Sequence, residues 1–198
     1  EMSVGLVGSE MCIRDSSPSN VKTIGIVGTG VQARLQLRYL KDIVNCRNVI
    51  VWGRNQKALL RYEKEMSMYE YQITTTTNMS DIVEHCQLIV TCTPSERSLI
   101  NAVRPGTHIT AIGSDTVSKR ELSSDVMLQA DMIVTDSKDQ SRIRGEIYQV
   151  LKDGNSLDGI TELGQIISGK IEGRVSQEHI TIADLTGVAV QDLSLIHI

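Results

Sequence analysis

At 198 residues with an apolar fraction of 40%, the chain has the size of one large domain, or at most two small ones, and enough apolar residues for a sizeable core. A net charge of −4, with Lys, Arg, Asp and Glu scattered throughout, leaves neither a basic stripe for nucleic acid nor an acidic tail. No apolar run approaches the roughly 18 residues of a membrane helix, so the composition points to a soluble protein without nucleic-acid or membrane partners.

In chain order, the first segment is anomalous. Ser3 to Ser16 and, at the other end, Ser194 to Ile198 resemble peptides made when sequencing-adapter DNA is translated along with a gene fragment. A signal peptide over Met2 to Met11 fits less well, because it lacks a basic n-region and carries Glu10 in its apolar run. Residues 1–16 and 194–198 are therefore expected to be non-native, and residues 17–193 to form the domain. Cys46, Cys86 and Cys92 have no CxxC spacing. They read as reduced cysteines of a cytoplasmic protein, not as a disulfide or zinc framework.

Beyond the leader, short β-branched runs alternate with amphipathic ones. Thr23 to Val27, Asn48 to Trp52, Leu88 to Thr93, His108 to Gly113 and Met132 to Asp136 are expected as buried parallel strands. Tyr71 to Thr76 is a weaker sixth strand and Ile180 to Leu185 a seventh. Ala33, Leu37, Leu40 and Val44 share one helical face, Gln56 to Tyr69 reads as a long helix, and Asn78 caps a short one through Cys86. Ser118 and Glu121 match an S-x-x-E capping box that would open another helix. The stretch from about Asp153 to Gly159 is loose. Regular strand and helix alternation predicts an α/β fold with a doubly wound, mostly parallel sheet of the Rossmann type.

Gly28, Gly30 and Ala33 form a G-x-G-x-x-A pattern between the first strand and the following helix. Gly28 permits the turn, Gly30 lets backbone approach a pyrophosphate, and Ala33 allows close helix packing. The helix N-terminus then offers free N–H groups to phosphate. The second strand ends Val51-Trp52-Gly53-Arg54-Asn55, without the carboxylate usual for the ribose of NAD. Arg54 either pairs with a 2′-phosphate or is a solvated arginine over the adenine. The cofactor reading is NAD(P), leaning to NADP.

Ligands of a doubly wound sheet lie beyond the carboxyl ends of its strands, which here are Thr93, Ile112 to Asp115, and Asp184 to Gly187. Four ordered motifs, Gly28 to Ala33, His108 to Leu122, Asp131 to Ser137 with Arg144 to Glu146, and Ile180 to Leu193, resemble the ornithine cyclodeaminase and mu-crystallin family. The resemblance implies NAD(P)-dependent oxidation of amino acids or reduction of imines, or cyclodeamination. It implies cofactor contacts at Val31, Gln32, Thr93, Lys119 and Leu185, alongside Gly28, Gly30, Arg54 and the strand-end Ile112. It places Thr186 near the substrate and makes Asp115 the general base. Asp115 is alternatively a loop residue leading into the expected helix.

The resemblance further implies an absent N-terminal substrate and dimerisation domain, a homodimeric full-length parent, and little turnover by this chain alone. Gly113-Ser114-Asp115-Thr116-Val117-Ser118-Lys119 departs from the Pro-Gly-Lys form of the ornithine cyclodeaminases, which favours a broader amino-acid dehydrogenase or ketimine reductase. A non-catalytic NADP-binding protein of the mu-crystallin kind is the other reading. His108 is expected to be a strand-edge or structural histidine and not a ligand, and His85 and His179 to lie at the surface. Asp136 is expected to be structural, and Glu146 either closes a loop near the site or is a solvated helix carboxylate.

Overall fold

The computed structural model describes residues 12–13 and 16–187; what the sequence leads one to expect of residues 1–11, 14–15 and 188–198 lies outside the described residues. Eight strands form one wholly parallel sheet: β1 (Ile24–Val27), β2 (Asn48–Trp52), β3 (Gln72–Thr76), β4 (Leu88–Thr91), β5 (His108–Ala111), β6 (Met132–Thr135), β7 (Ile160–Glu162) and β8 (Thr181–Asp184). Their order is β3-β2-β1-β4-β5-β8-β6-β7. The chain winds outward from β1 through β2 and β3, then returns to β4 on the other flank. That reversal makes the crevice beyond β1 and β4 the topological switch point of a Rossmann-type fold.

The central strands β1, β4, β5 and β8 are buried along their whole length, as continuous apolar and threonine-rich runs between two helical layers should be. One apolar layer joins Val27, Ile89, Ile109 and Ile182 to Ile82, Val126 and Ile147, and the opposite one joins Ile26, Val51 and Val90 to Leu37, Leu40 and Leu59. Full burial of each such side chain contributes about 1.5–3 kcal/mol.

Helix α1 (Val31–Ile43) buries Ala33, Gln36, Leu37 and Leu40, a stripe at helical spacing. It is pinned from outside by two phenols: Tyr62 Oη donates to Ala33 O at 2.9 Å and Tyr71 Oη to Leu37 O at 2.8 Å. Helix α2 (Gln56–Met66) starts at Asn55, whose side chain accepts from Lys57 N and Ala58 N, and passes into a 3-10 turn over Ser67–Tyr69. Asn78 caps α3 (Met79–His85) as expected. The remaining helices are α4 (Ser124–Leu128), α5 (Lys138–Ser141), α6 (Glu146–Lys152) and α7 (Leu163–Ile167).

Three readings of the sequence need correction. No helix opens at Ser118: α4 begins six residues later, capped by Ser123, whose side chain accepts from Val126 N. Glu121 does not complete a capping box, because its carboxylate turns inward to partners on β4 and beyond. Glu146 is not solvated; it is fully buried at the start of α6.

An eighth strand, β7, follows the loose stretch. Of the two readings of His108, strand-edge or structural, the fold supports the second, because it stands on the interior strand β5. It is fully buried, with Nδ1 2.8 Å from Thr181 Oγ1 and Nε2 2.9 Å from Thr110 Oγ1. Burial beside Arg174 pushes its pKa down to about 3, so the ring is neutral. Cys12 and Ile13 pack into the apolar layers, and Ser16 O accepts from Arg174 Nε and Thr181 Oγ1.

Candidate functional site

The glycine turn stands at the switch point. Gly28 adopts φ +126°, and a Cβ there would lie 2.9 Å from the carbonyl oxygen of Cys92, so both backbone conformation and space demand glycine. Gly30 differs: its backbone is extended, and a Cβ would meet nothing within 4 Å. What glycine leaves there is open space against the first turn of α1. That turn carries no side-chain cap and no acidic residue, leaving its N–H groups and positive dipole end available to an anion. Val31 and Gln32 are exposed on it.

Gly28, Gly30, Gly53, Arg54, Cys92 and Thr93 line a crevice of about 160 Å³. The structure therefore brings together the residues expected from the turn, the second strand and the fourth. Arg54 is exposed on the β2 side, and no carboxylate is among the residues lining this crevice.

The other expected residues occupy the neighbouring mouth, beyond β5 and β8. Asp115 is exposed on the loop after β5, and Lys119 Nζ lies 2.6 Å from its Oδ1. Ile112 is half-buried and bridges two apolar clusters. Leu185 is buried and donates its backbone N–H to Ala111 O at 3.0 Å. Thr186 accepts from Gln140 Nε2 at 2.5 Å and donates to Asp136 Oδ1 at 3.3 Å.

Reading the sequence missed a buried acidic floor beneath this mouth. Glu121, Glu146 and Asp184 are almost completely shielded, with Asp136 half-buried beside Thr186. Glu146 accepts from the backbone N–H groups of Glu121 and Leu122, and Asp184 Oδ2 accepts from Ile147 N at 2.9 Å. No salt bridge among the described residues reaches any of the four.

Burial first, then the charge of Asp184, pushes Glu146 up to about 8. Burial pushes Asp184 up to about 7 and raises Asp136 and Glu121 as well, against hydrogen bonds that lower all three. A signal existed at two glycines. Gly113 and Gly145 abut these acids so closely that a Cβ would stand 2.5 Å from Glu121 Oε2 and 2.6 Å from Asp184 Oδ2, respectively.

The chain is 36% identical over 184 residues to the uncharacterized cyclodeaminase y4tK of Sinorhizobium fredii, a match covering 90% of this chain and 56% of that protein. An archaeal alanine dehydrogenase dimer with bound NAD superposes with a TM-score of 0.88 at 30% identity, over 98% of this chain and 60% of that one. The iminosuccinate reductase of Paracoccus denitrificans, in complex with NAD+, superposes with a TM-score of 0.90 at 29% identity over the same shares. The chain thus spans little more than half the length of the relatives it matches. With the family model matching residues 13–198, almost the whole of it, the chain belongs to the ornithine cyclodeaminase/mu-crystallin family.

Proposed function

We propose that this chain is the nicotinamide-dinucleotide-binding part of an oxidoreductase that transfers hydride at the α-carbon of an amino acid or imine. The observation that carries the reading is the turn at Gly28 and Gly30, which leaves open space against an uncapped helix N-terminus at the switch point of the sheet. Bound there, the dinucleotide supplies a hydride acceptor or donor. The α1 N–H groups would hold its pyrophosphate, with Thr93 on the nicotinamide side and Arg54 on the adenosine side of the crevice they line.

Asp115, at the mouth, takes a proton from the substrate ammonium as the α-carbon loses hydride, and returns it in the reducing direction. Lys119 orients the Asp115 carboxylate through their 2.6 Å pair. Val31, Gln32, Ile112 and Leu185 complete the cofactor wall and Thr186 faces the substrate. The alanine dehydrogenase and iminosuccinate reductase relatives support an amino-acid or imine substrate. The dimeric state of the former supports a homodimeric full-length protein. The reduced thiols of Cys46, Cys86 and Cys92 support a cytoplasmic setting.

Preference for NADP rests on Arg54 and on the missing ribose carboxylate at the end of β2. NAD is the second reading, favoured by the NAD and NAD+ in the two similar structures. Calorimetric affinities for NADPH and NADH, in the wild-type chain and in Arg54→Asp, separate them. NADPH is expected to bind more tightly to the wild type, and the order is expected to reverse in the variant. Equal affinities that the substitution leaves unchanged would assign Arg54 to solvent, and binding of neither molecule would sink the whole reading.

Gly30→Val tests the turn independently. The extended backbone of Gly30 accepts any residue and the space beside it is open, so Tm should stay within a few degrees of wild type. The branched side chain fills the pyrophosphate position, so affinity for the preferred dinucleotide should fall at least about tenfold. Unaltered affinity would place the pyrophosphate elsewhere.

A further inference from the structure

Glu121 holds two loops that leave adjacent strands. Its Oε1 accepts from Thr93 N at 2.6 Å and Thr93 Oγ1 at 2.7 Å; its Oε2 accepts from Thr91 Oγ1 at 2.7 Å and Gly113 N at 3.0 Å. The backbone of Glu121 is itself held fast. Glu121 N donates to Glu146 Oε1 at 2.7 Å, and Glu121 O accepts from Leu99 N and Ile100 N at 2.8 and 3.0 Å. One fully buried carboxyl group thus fastens the segment after β4 to the segment after β5, on which Asp115 and Lys119 stand.

Sheet stability does not require such a group. Burying a carboxylate costs several kcal/mol unless donors replace its water, and an apolar side chain would fill the same volume without that cost. Here four donors are spent on it, all from the carboxyl ends of β4 and β5. In a doubly wound sheet the adenosine half of a dinucleotide lies toward β2, where Gly53 and Arg54 stand, which puts the nicotinamide half over Thr93 and Gly113. Resting on the dinucleotide reading above, we propose that Glu121 is a positioning residue for the nicotinamide half, fixing Thr93 and locking the two loops in register.

Hydrogen-bond polarity makes the role specific to a carboxylate. Each oxygen of Glu121 accepts from one backbone N–H, Thr93 on one side and Gly113 on the other. A hydroxyl can rotate to suit a new partner, but a backbone N–H cannot. In Glu121→Gln, whichever oxygen becomes NH2 confronts an N–H, so one loop is released while side-chain volume is kept.

The test compares the wild-type chain with Glu121→Gln against two ligands: the preferred reduced dinucleotide, and the adenosine fragment lacking nicotinamide (ADP-ribose, or its 2′-phosphate). The variant should bind the whole dinucleotide at least about tenfold more weakly, about 1.4 kcal/mol, and the fragment unchanged. Parallel loss of both, or loss of neither, would reduce Glu121 to a structural group and overturn the proposal.

Failure of the wild type to bind either ligand would instead remove the dinucleotide site, and the proposal with it. A second measurement needs no variant. In the amide NMR spectrum of the wild type, Thr93 and Gly113 N–H should lie well downfield and exchange slowly, as donors to a buried carboxylate; ordinary shifts for both would refute the clamp.

Discussion

Asp115→Asn in the full-length protein should lower kcat by roughly 10²–10⁴-fold, the usual worth of a positioned general base, with dinucleotide affinity unchanged. Asparagine keeps the shape of the side chain and an oxygen able to accept from Lys119, now 2.6 Å from Asp115 Oδ1, so the loop after β5 should keep its course. What it loses is the capacity to hold a proton. Without that capacity the substrate amine stays protonated while hydride leaves its α-carbon, and the transition state carries an additional positive charge.

Exposure of Asp115 at the mouth suits the role, since a general base must be within reach of its substrate. Nicotinamide absorbance changes with amino acids and ketimines give kcat, and calorimetry gives the cofactor affinity. A kcat within about tenfold of wild type would transfer the base role to another group. Absence of any wild-type turnover, with cofactor binding retained, would favour the non-catalytic reading of the family.

Local features of the fold were legible because their causes are local. The runs at Ile24–Val27 and Leu88–Thr91 are buried on both faces, which favours continuous apolar or threonine composition, and His108–Ala111 departs from it only at His108, whose ring is hydrogen-bonded to Thr181 and Thr110. The Gly28 turn was legible because a positive φ at a crowded position selects glycine wherever it occurs.

The features that escaped reading depend on distant partners. Strand β7 has three residues and one buried side chain, Thr161, and exists because β6 offers it an edge. The insertion of β8 between β5 and β6 is likewise a property of packing, with no trace in the local pattern. Ser118 and Glu121 have the spacing of a cap, but Thr91, Thr93 and Gly113 offer the glutamate four donors where a helix end would offer one or two. Glu146 heads a helix and looks solvated in sequence, yet its partners are backbone groups of residues 121 and 122.

That acidic floor should make the chain lose stability as pH rises through neutrality. Glu146, raised to about 8, and Asp184, raised to about 7, both bind protons more strongly when folded than when unfolded. Their stabilisation is therefore complete below the unfolded carboxylate range and is lost as pH climbs through 7 and 8. The groups facing them are Glu121 and Asp136, both acids raised in the same direction, so neither offsets the trend.

Opposing contributions fall largely outside the window. His108, lowered to about 3, adds stability as pH rises mainly up to about 6.5, where the unfolded imidazole is half deprotonated, and only the tail of that gain extends above it. Glu65 and Glu70, lowered by their cationic partners, and Asp153, lowered by the Ser124 hydroxyl and then by Arg120, act only below the ordinary carboxylate range. Between pH 6.5 and 8.5 the net loss should be about 3 kcal/mol at 1.36 kcal/mol per unit, or roughly 5–10 °C in Tm for a domain of this size.

Thermal melts of the wild type and of Glu146→Gln at those two pH values measure it. The variant should start lower, because an NH2 replaces one of the oxygens that accept from Glu121 N and Leu122 N, but its Tm should fall only about a quarter to a third as much, the share left to Asp184. A wild-type Tm that holds or rises from pH 6.5 to 8.5 would mean that the buried acids are already ionised in the folded chain, each compensated by its backbone donors.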